Sequence, residues 1–123
     1  MTAIEGPLST RRELRRAVRE FGQSLGADAE TVASALVDLN VRGTPRSPYR
    51  CAIARYFQVI VGSEPTVTGI RVTDTRLHLG RSRLRLPLTV RLPKAVTEFI
   101  RAFDSNCYPH LVDRRQVRAI APR

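Results

Sequence analysis

Residues 66–92 read TVTGIRVTDTRLHLGRSRLRLPLTVRL, and the alternation within them decides the fold. Ile70 and Val72 alternate with Arg71 and Thr73, and Leu77 and Leu79 with Arg76 and His78. Further on, Leu84, Leu86, Leu88, Val90 and Leu92 alternate with Arg83, Arg85, Pro87, Thr89 and Arg91. A period of two puts successive side chains on opposite faces of an extended strand. Three strands follow from it, joined at Asp74–Thr75 and at Gly80–Ser82 by connections short enough for hairpins. The result is an antiparallel meander with one apolar and one polar face. Pro87 has no N–H to give to a ladder, so it sets the third strand at an edge or splits it at a bulge.

On the N-terminal side of the meander the period is helical. Thr10 and Glu13 have the spacing of a capping box, in which hydroxyl and carboxylate satisfy each other's free amides. The helix they open runs to about Leu25, with Leu14, Val18, Phe21 and Leu25 as its apolar stripe and Arg12, Arg15, Arg16 and Arg19 on the other side. Gly26 stops it, and Asp28 caps a second helix whose Ala29, Val32, Ala33, Leu36 and Leu39 share a face as far as Gly43. Ser47 and Pro48 then form a cap and a first helical position, which predicts a third helix from Pro48 to about Val61, apolar around most of its circumference.

Beyond the meander, Leu92 and Pro93 open a fourth helix with a stripe of Val96, Phe99, Ile100 and Phe103, ended by Asn106. Leu111, Val112, Val117 and Ile120 mark a short final helix and a tail. The fold class is therefore α+β: three N-terminal helices, a three-stranded antiparallel β-meander, and a C-terminal helix packed on the meander's apolar face. With 123 residues, 42% of them apolar, the chain suits one globular domain spanning 1–123, with disordered ends at 1–8 and 119–123. It should fold alone or as a symmetric homodimer.

Several function classes drop out. No apolar run approaches the ~20 residues of a membrane-spanning helix, and residues 1–7 lack the basic and apolar regions of a secretory signal, which points to the cytoplasm. The two cysteines, Cys51 and Cys107, are then expected as reduced thiols. With His78 and His110 they make no paired metal-ligand spacing, and no glycine-rich phosphate loop or cofactor fingerprint appears. Cys107, His110 and Asp113 supply the residue types of nucleophile, base and orienter, but their spacing matches no known triad signature, so the chain is read as no enzyme and without cofactor.

Charge is what remains. The chain carries 21 basic and 11 acidic residues, net +10. Residues 1–62 hold 9 basic and 6 acidic side chains and residues 63–123 hold 12 and 5, so the second half carries +7 of the total. Twenty of the 21 basic residues are arginine, a bias that GC-rich coding alone would produce, so placement carries the argument. Arg71, Arg76, His78, Arg83, Arg85 and Arg91 share the polar side of the alternation, with Arg81 in the turn between strands. Like charges on neighbouring strands repel, and a polyanion would offset that repulsion.

A solvated face that blunts an edge strand would have a similar composition. The first expectation is a non-catalytic nucleic-acid-associated accessory or regulatory protein, gripping DNA or RNA backbone through this face and through Arg12, Arg15, Arg16 and Arg19. The second is an interaction module or inhibitor that docks an acidic protein, pairing a partner strand to an open sheet edge. A winged helix-turn-helix fits poorly, because the third helix would be the reader and offers only Arg50, Arg55 and Gln58 to base edges.

Overall fold

The computed structural model describes residues 10–73, 75–82 and 85–113; the leader 1–8, the tail 119–123, Asp74, Arg83 and Leu84 lie outside them. Helix α1 (Arg11–Ser24) begins at the expected capping box. Thr10 Oγ1 accepts from the Glu13 N–H at 3.1 Å and Glu13 Oε1 from the Thr10 N–H at 3.3 Å. Leu14, Ala17, Val18 and Gly22 are its buried face, while Phe21 is 42% exposed; in its turn the helix is buried at Gly22, which packs against Pro93. Helix α2 (Ala29–Asp38) begins the same way, with Asp28 Oδ1 accepting from the Thr31 N–H at 2.8 Å.

Two helix boundaries differ from expectation, and tertiary contacts explain both. Helix α2 stops at Asp38 instead of running to Gly43: Asn40 turns into the left-handed region (φ 58°) and the Val41 N–H closes back on the Leu36 carbonyl at 2.9 Å. Leu39 is left exposed. Gly43 instead meets the 3₁₀ turn η1 (Pro109–Leu111), donating to the Leu111 carbonyl and accepting from the Asp113 N–H, both at 2.9 Å.

The third helix starts late. Ser47 Oγ accepts from the Arg50 N–H at 3.2 Å, as a cap should, but only one turn forms. Cys51 is extended and restarts the helix, so α3 spans Ala52–Val61. The Pro48 carbonyl is taken by the Val72 N–H of the first strand at 2.8 Å. Gly43 also crosses the helix start so closely that a Cβ there would lie 2.2 Å from the Ala52 nitrogen.

The meander forms with strands β1 (Val67–Val72), β2 (Arg76–Arg81) and β3 (Leu88–Arg91) in the order β1-β2-β3, antiparallel throughout. Its apolar rungs are Ile70–Leu79–Leu88 and Val72–Leu77–Val90, all buried. Strand β2 continues through Gly80 and Arg81, which face Gly69 and Val67 across a bulge, so the turn begins later than the sequence suggests. Strand β3 is shorter than its alternation. Leu86 is 69% exposed, and pairing starts only after Pro87, where a residue without an N–H interrupts the ladder.

Helix α1 runs closest along β3 and α3 along β1. Helix α4 (Lys94–Asp104) follows β3, lies closest to α2, and contributes Val96, Phe99, Ile100 and Phe103 to the core that the sheet's apolar face also enters. Asn106, in the left-handed region (φ 67°), ends α4 as its residue type suggested. Val59 of α3 points outward, 74% exposed, so that helix is less apolar around its circumference than its composition implies. Among the described residues no helix is long and apolar enough to cross a membrane.

Candidate functional site

With the apolar rungs turned inward, the alternation turns the intervening residues outward. Two polar rungs result: Arg71–His78–Thr89, and Arg76 opposite Arg91. Arg71 and His78 are half-buried, while Arg76, Thr89 and Arg91 are exposed. Strand spacing makes this face about 10 Å wide from β1 to β3. Among the described residues no ion pair is made to Arg71, Arg76 or Arg91; ion pairs lie elsewhere, among them Arg16–Glu20 (3.7 Å), Arg55–Asp113 (3.5 Å) and Lys94–Glu98 (4.0 Å).

His78 sits on the middle strand with Nδ1 3.1 Å from Thr89 Oγ1. Burial, and then the charges of Arg71 and Arg76, hold its pKa below the ordinary imidazole value. The face thus carries three guanidinium groups around an imidazole that resists a fourth positive charge.

Four of the expected face residues come together here: Arg71, Arg76, His78 and Arg91. Arg85 does not join them. It is exposed in the loop before β3, its N–H donating to the Ser82 carbonyl at 3.3 Å, because the strand in which it was expected begins only at Leu88. Arg81 is a strand residue with the parity of Leu77 and Leu79, half-buried and already engaged within the fold, so it leaves the outward set. Arg83 lies outside the described residues.

The arginines of α1 divide into two groups. Arg12, Arg16 and Arg19 lie exposed, with Arg16 reaching Glu20. Arg15 and Arg11, one turn apart on the flank of the buried stripe, reach sideways to the sheet. Arg15 Nη1 donates to the Thr89 carbonyl at 3.1 Å, and Arg11 Nη1 to the carbonyls of Pro87 at 2.7 Å and Leu86 at 3.5 Å. They cover the outer edge of β3. Arg11 was not among the residues the sequence reading selected. Its i, i+4 relation to Arg15 was visible, but that the pair meets a strand edge is a fact of tertiary packing.

The other candidates are dispersed. Asp113 is bound to Arg55, and the His110 ring meets Tyr108 edge-on with centroids 6.1 Å apart, next to an exposed Cys107. Cys51 is buried, and burial pushes its thiol up to about 11, which leaves little thiolate at neutral pH. Gln58 spends its side-chain amide on the Tyr49 carbonyl at 3.0 Å, so both base-reading candidates that lie on α3, Gln58 and Arg55, are committed within the fold, and Arg50 precedes the helix. Among the described residues no group of His, Cys, Asp and Glu is arranged to hold a metal.

Compared with protein-family models, with curated proteins and with solved structures, the chain finds no match. Fold and face alone define its class: an α+β protein whose antiparallel sheet presents arginine and histidine on its outer side.

Proposed function

We propose that the chain is a non-catalytic, nucleic-acid-associated accessory or regulatory protein that grips phosphate backbone with the polar face of its sheet. The observation that carries the reading is the pair of polar rungs, Arg71–His78–Thr89 and Arg76–Arg91, with no carboxylate paired to its arginines among the described residues. Directly opposed like charges cost stability. Phosphates offset that cost, since guanidinium binds them through charge-assisted, often bidentate hydrogen bonds. The rungs present no Phe, Tyr or Trp ring for base stacking, which favours duplex backbone over single strands. Exposed Arg12 and Arg19 on α1 would lengthen the contact past β3.

Replacing Arg71 and Arg91 by Glu tests this. Binding to a random-sequence duplex of about 20 base pairs should fall at least tenfold, as expected when phosphate contacts of roughly a kcal/mol each are lost and repulsion is added. The circular dichroism spectrum should stay unchanged. Undiminished affinity would place the contact elsewhere.

One observation favours a second reading, an acidic protein partner added as a strand. The edges of the sheet are treated differently: Arg11 and Arg15 cover β3, whereas β1, beyond the Val72 N–H taken by Pro48, runs past exposed Thr68 and Gly69. Recovery of one acidic protein that survives nuclease treatment would select this reading over the first.

A further inference from the structure

We infer that the centre of the face is a phosphate subsite built on His78, and that a backbone phosphate enters it together with one proton taken from solvent. The inference rests on the nucleic-acid reading and adds the coupled proton. His78 is the only titratable side chain on the two polar rungs that changes charge near neutral pH.

Its surroundings are uniformly cationic. Arg71 stands opposite it on β1, and Arg76 and Gly80 lie two residues away on its own strand. On β3, Thr89 stands opposite and Arg91 lies diagonally, while Arg15 of α1 reaches the same strand through the Thr89 carbonyl. No carboxylate of the described residues is paired to these arginines.

In the free protein this environment disfavours the imidazolium, whose pKa is lowered by burial and then by Arg71 and Arg76. An oxyanion held between the arginines reverses the balance. Thr89 Oγ1 occupies Nδ1 at 3.1 Å and leaves Nε2 for the ligand. The neutral ring can donate Nε2–H to phosphate while Nδ1 accepts from the Thr89 hydroxyl; the imidazolium donates at both nitrogens and adds a positive charge that the phosphate favours, which is what draws the proton in.

The pKa of His78 is therefore higher in the complex than in the free protein. Above both values the proton contributes nothing to binding. As pH falls between them, the complex takes up a proton that the free protein does not, and affinity rises about tenfold per pH unit, levelling off below the lower value.

The test is the dissociation constant of a random-sequence duplex of about 20 base pairs, about two helical turns, measured from about pH 8 to about pH 5.5 at constant ionic strength. Wild type should tighten about tenfold for each unit by which the His78 pKa rises on binding. His78→Gln should give a flat profile, and His110→Gln should retain the wild-type slope. The His78 ring resonances should titrate at higher pH in the complex than in the free protein. A flat wild-type profile with clear binding, or an unchanged slope in His78→Gln, overturns the subsite and leaves the nucleic-acid reading standing. Absence of binding at every pH removes both.

Discussion

Arg76 and Arg91 face each other across β2 and β3, both exposed and without a carboxylate partner among the described residues. Such a pair works against the fold, since directly opposed like charges destabilise a sheet and opposite charges stabilise it. Arg91→Glu should therefore act in opposite directions on stability and on function. The exchange should raise the unfolding free energy by about 0.5 kcal/mol, measured by urea denaturation, while weakening duplex binding. If the variant were less stable than wild type, the two side chains would not be repelling each other and the main physical argument for an anionic partner would lapse. His78 shows the same tension, since two of its neighbours, Arg71 and Arg76, oppose the charge that a bound phosphate would call for.

At the scale of elements, the edge of β3 is closed by a helix. Arg15 and Arg11 satisfy the Thr89 and Pro87 carbonyls, and Pro87 removes an N–H just before the strand. Unsatisfied edge groups invite pairing with another chain. Replacing both arginines by Ala should cost about 1 kcal/mol per lost hydrogen bond. It should also produce concentration-dependent association, read as a rise in mass by light scattering. A double variant that matches wild type in mass and stability would mean that these guanidinium groups merely lie along the surface.

Elements with a local cause could be read from the chain. Thr10 with Glu13 and Asp28 with Thr31 start their helices through side chains three residues apart, and the alternation of Ile70, Val72, Leu77 and Leu79 builds the sheet. Elements bounded by distant partners could not be read this way. Helix α2 gives way before Gly43, which meets Leu111 and Asp113, and α3 starts at Ala52 because Pro48 meets Val72 and Gly43 crosses its first turn. Alternation alone also overstated β3, because a period of two continues through a loop as readily as through a strand, and Arg85 was carried onto the face with it.

At the scale of the whole molecule, a net charge of +10 describes attraction to anions in general. What the fold adds is direction. Core formation commits Ile70, Val72, Leu77, Leu79, Leu88 and Val90 to one side, and the residues between them are turned to the other. Arg71, Arg76, His78 and Arg91 were legible as a group because their parity is a local property. The part played by Arg11 and Arg15 was not legible, because it depends on where α1 lies against β3.

The central claim, that this face holds phosphates, is tested most directly by the salt dependence of duplex binding. The three guanidinium groups of the face, each neutralising a phosphate, give log affinity falling linearly with log salt at a slope of about −2.7, and steeper where Arg12 and Arg19 also reach the backbone. Reversing Arg71 to Glu should reduce that slope by about 0.9. No binding at about 50 mM salt, or an affinity indifferent to salt, would contradict the account.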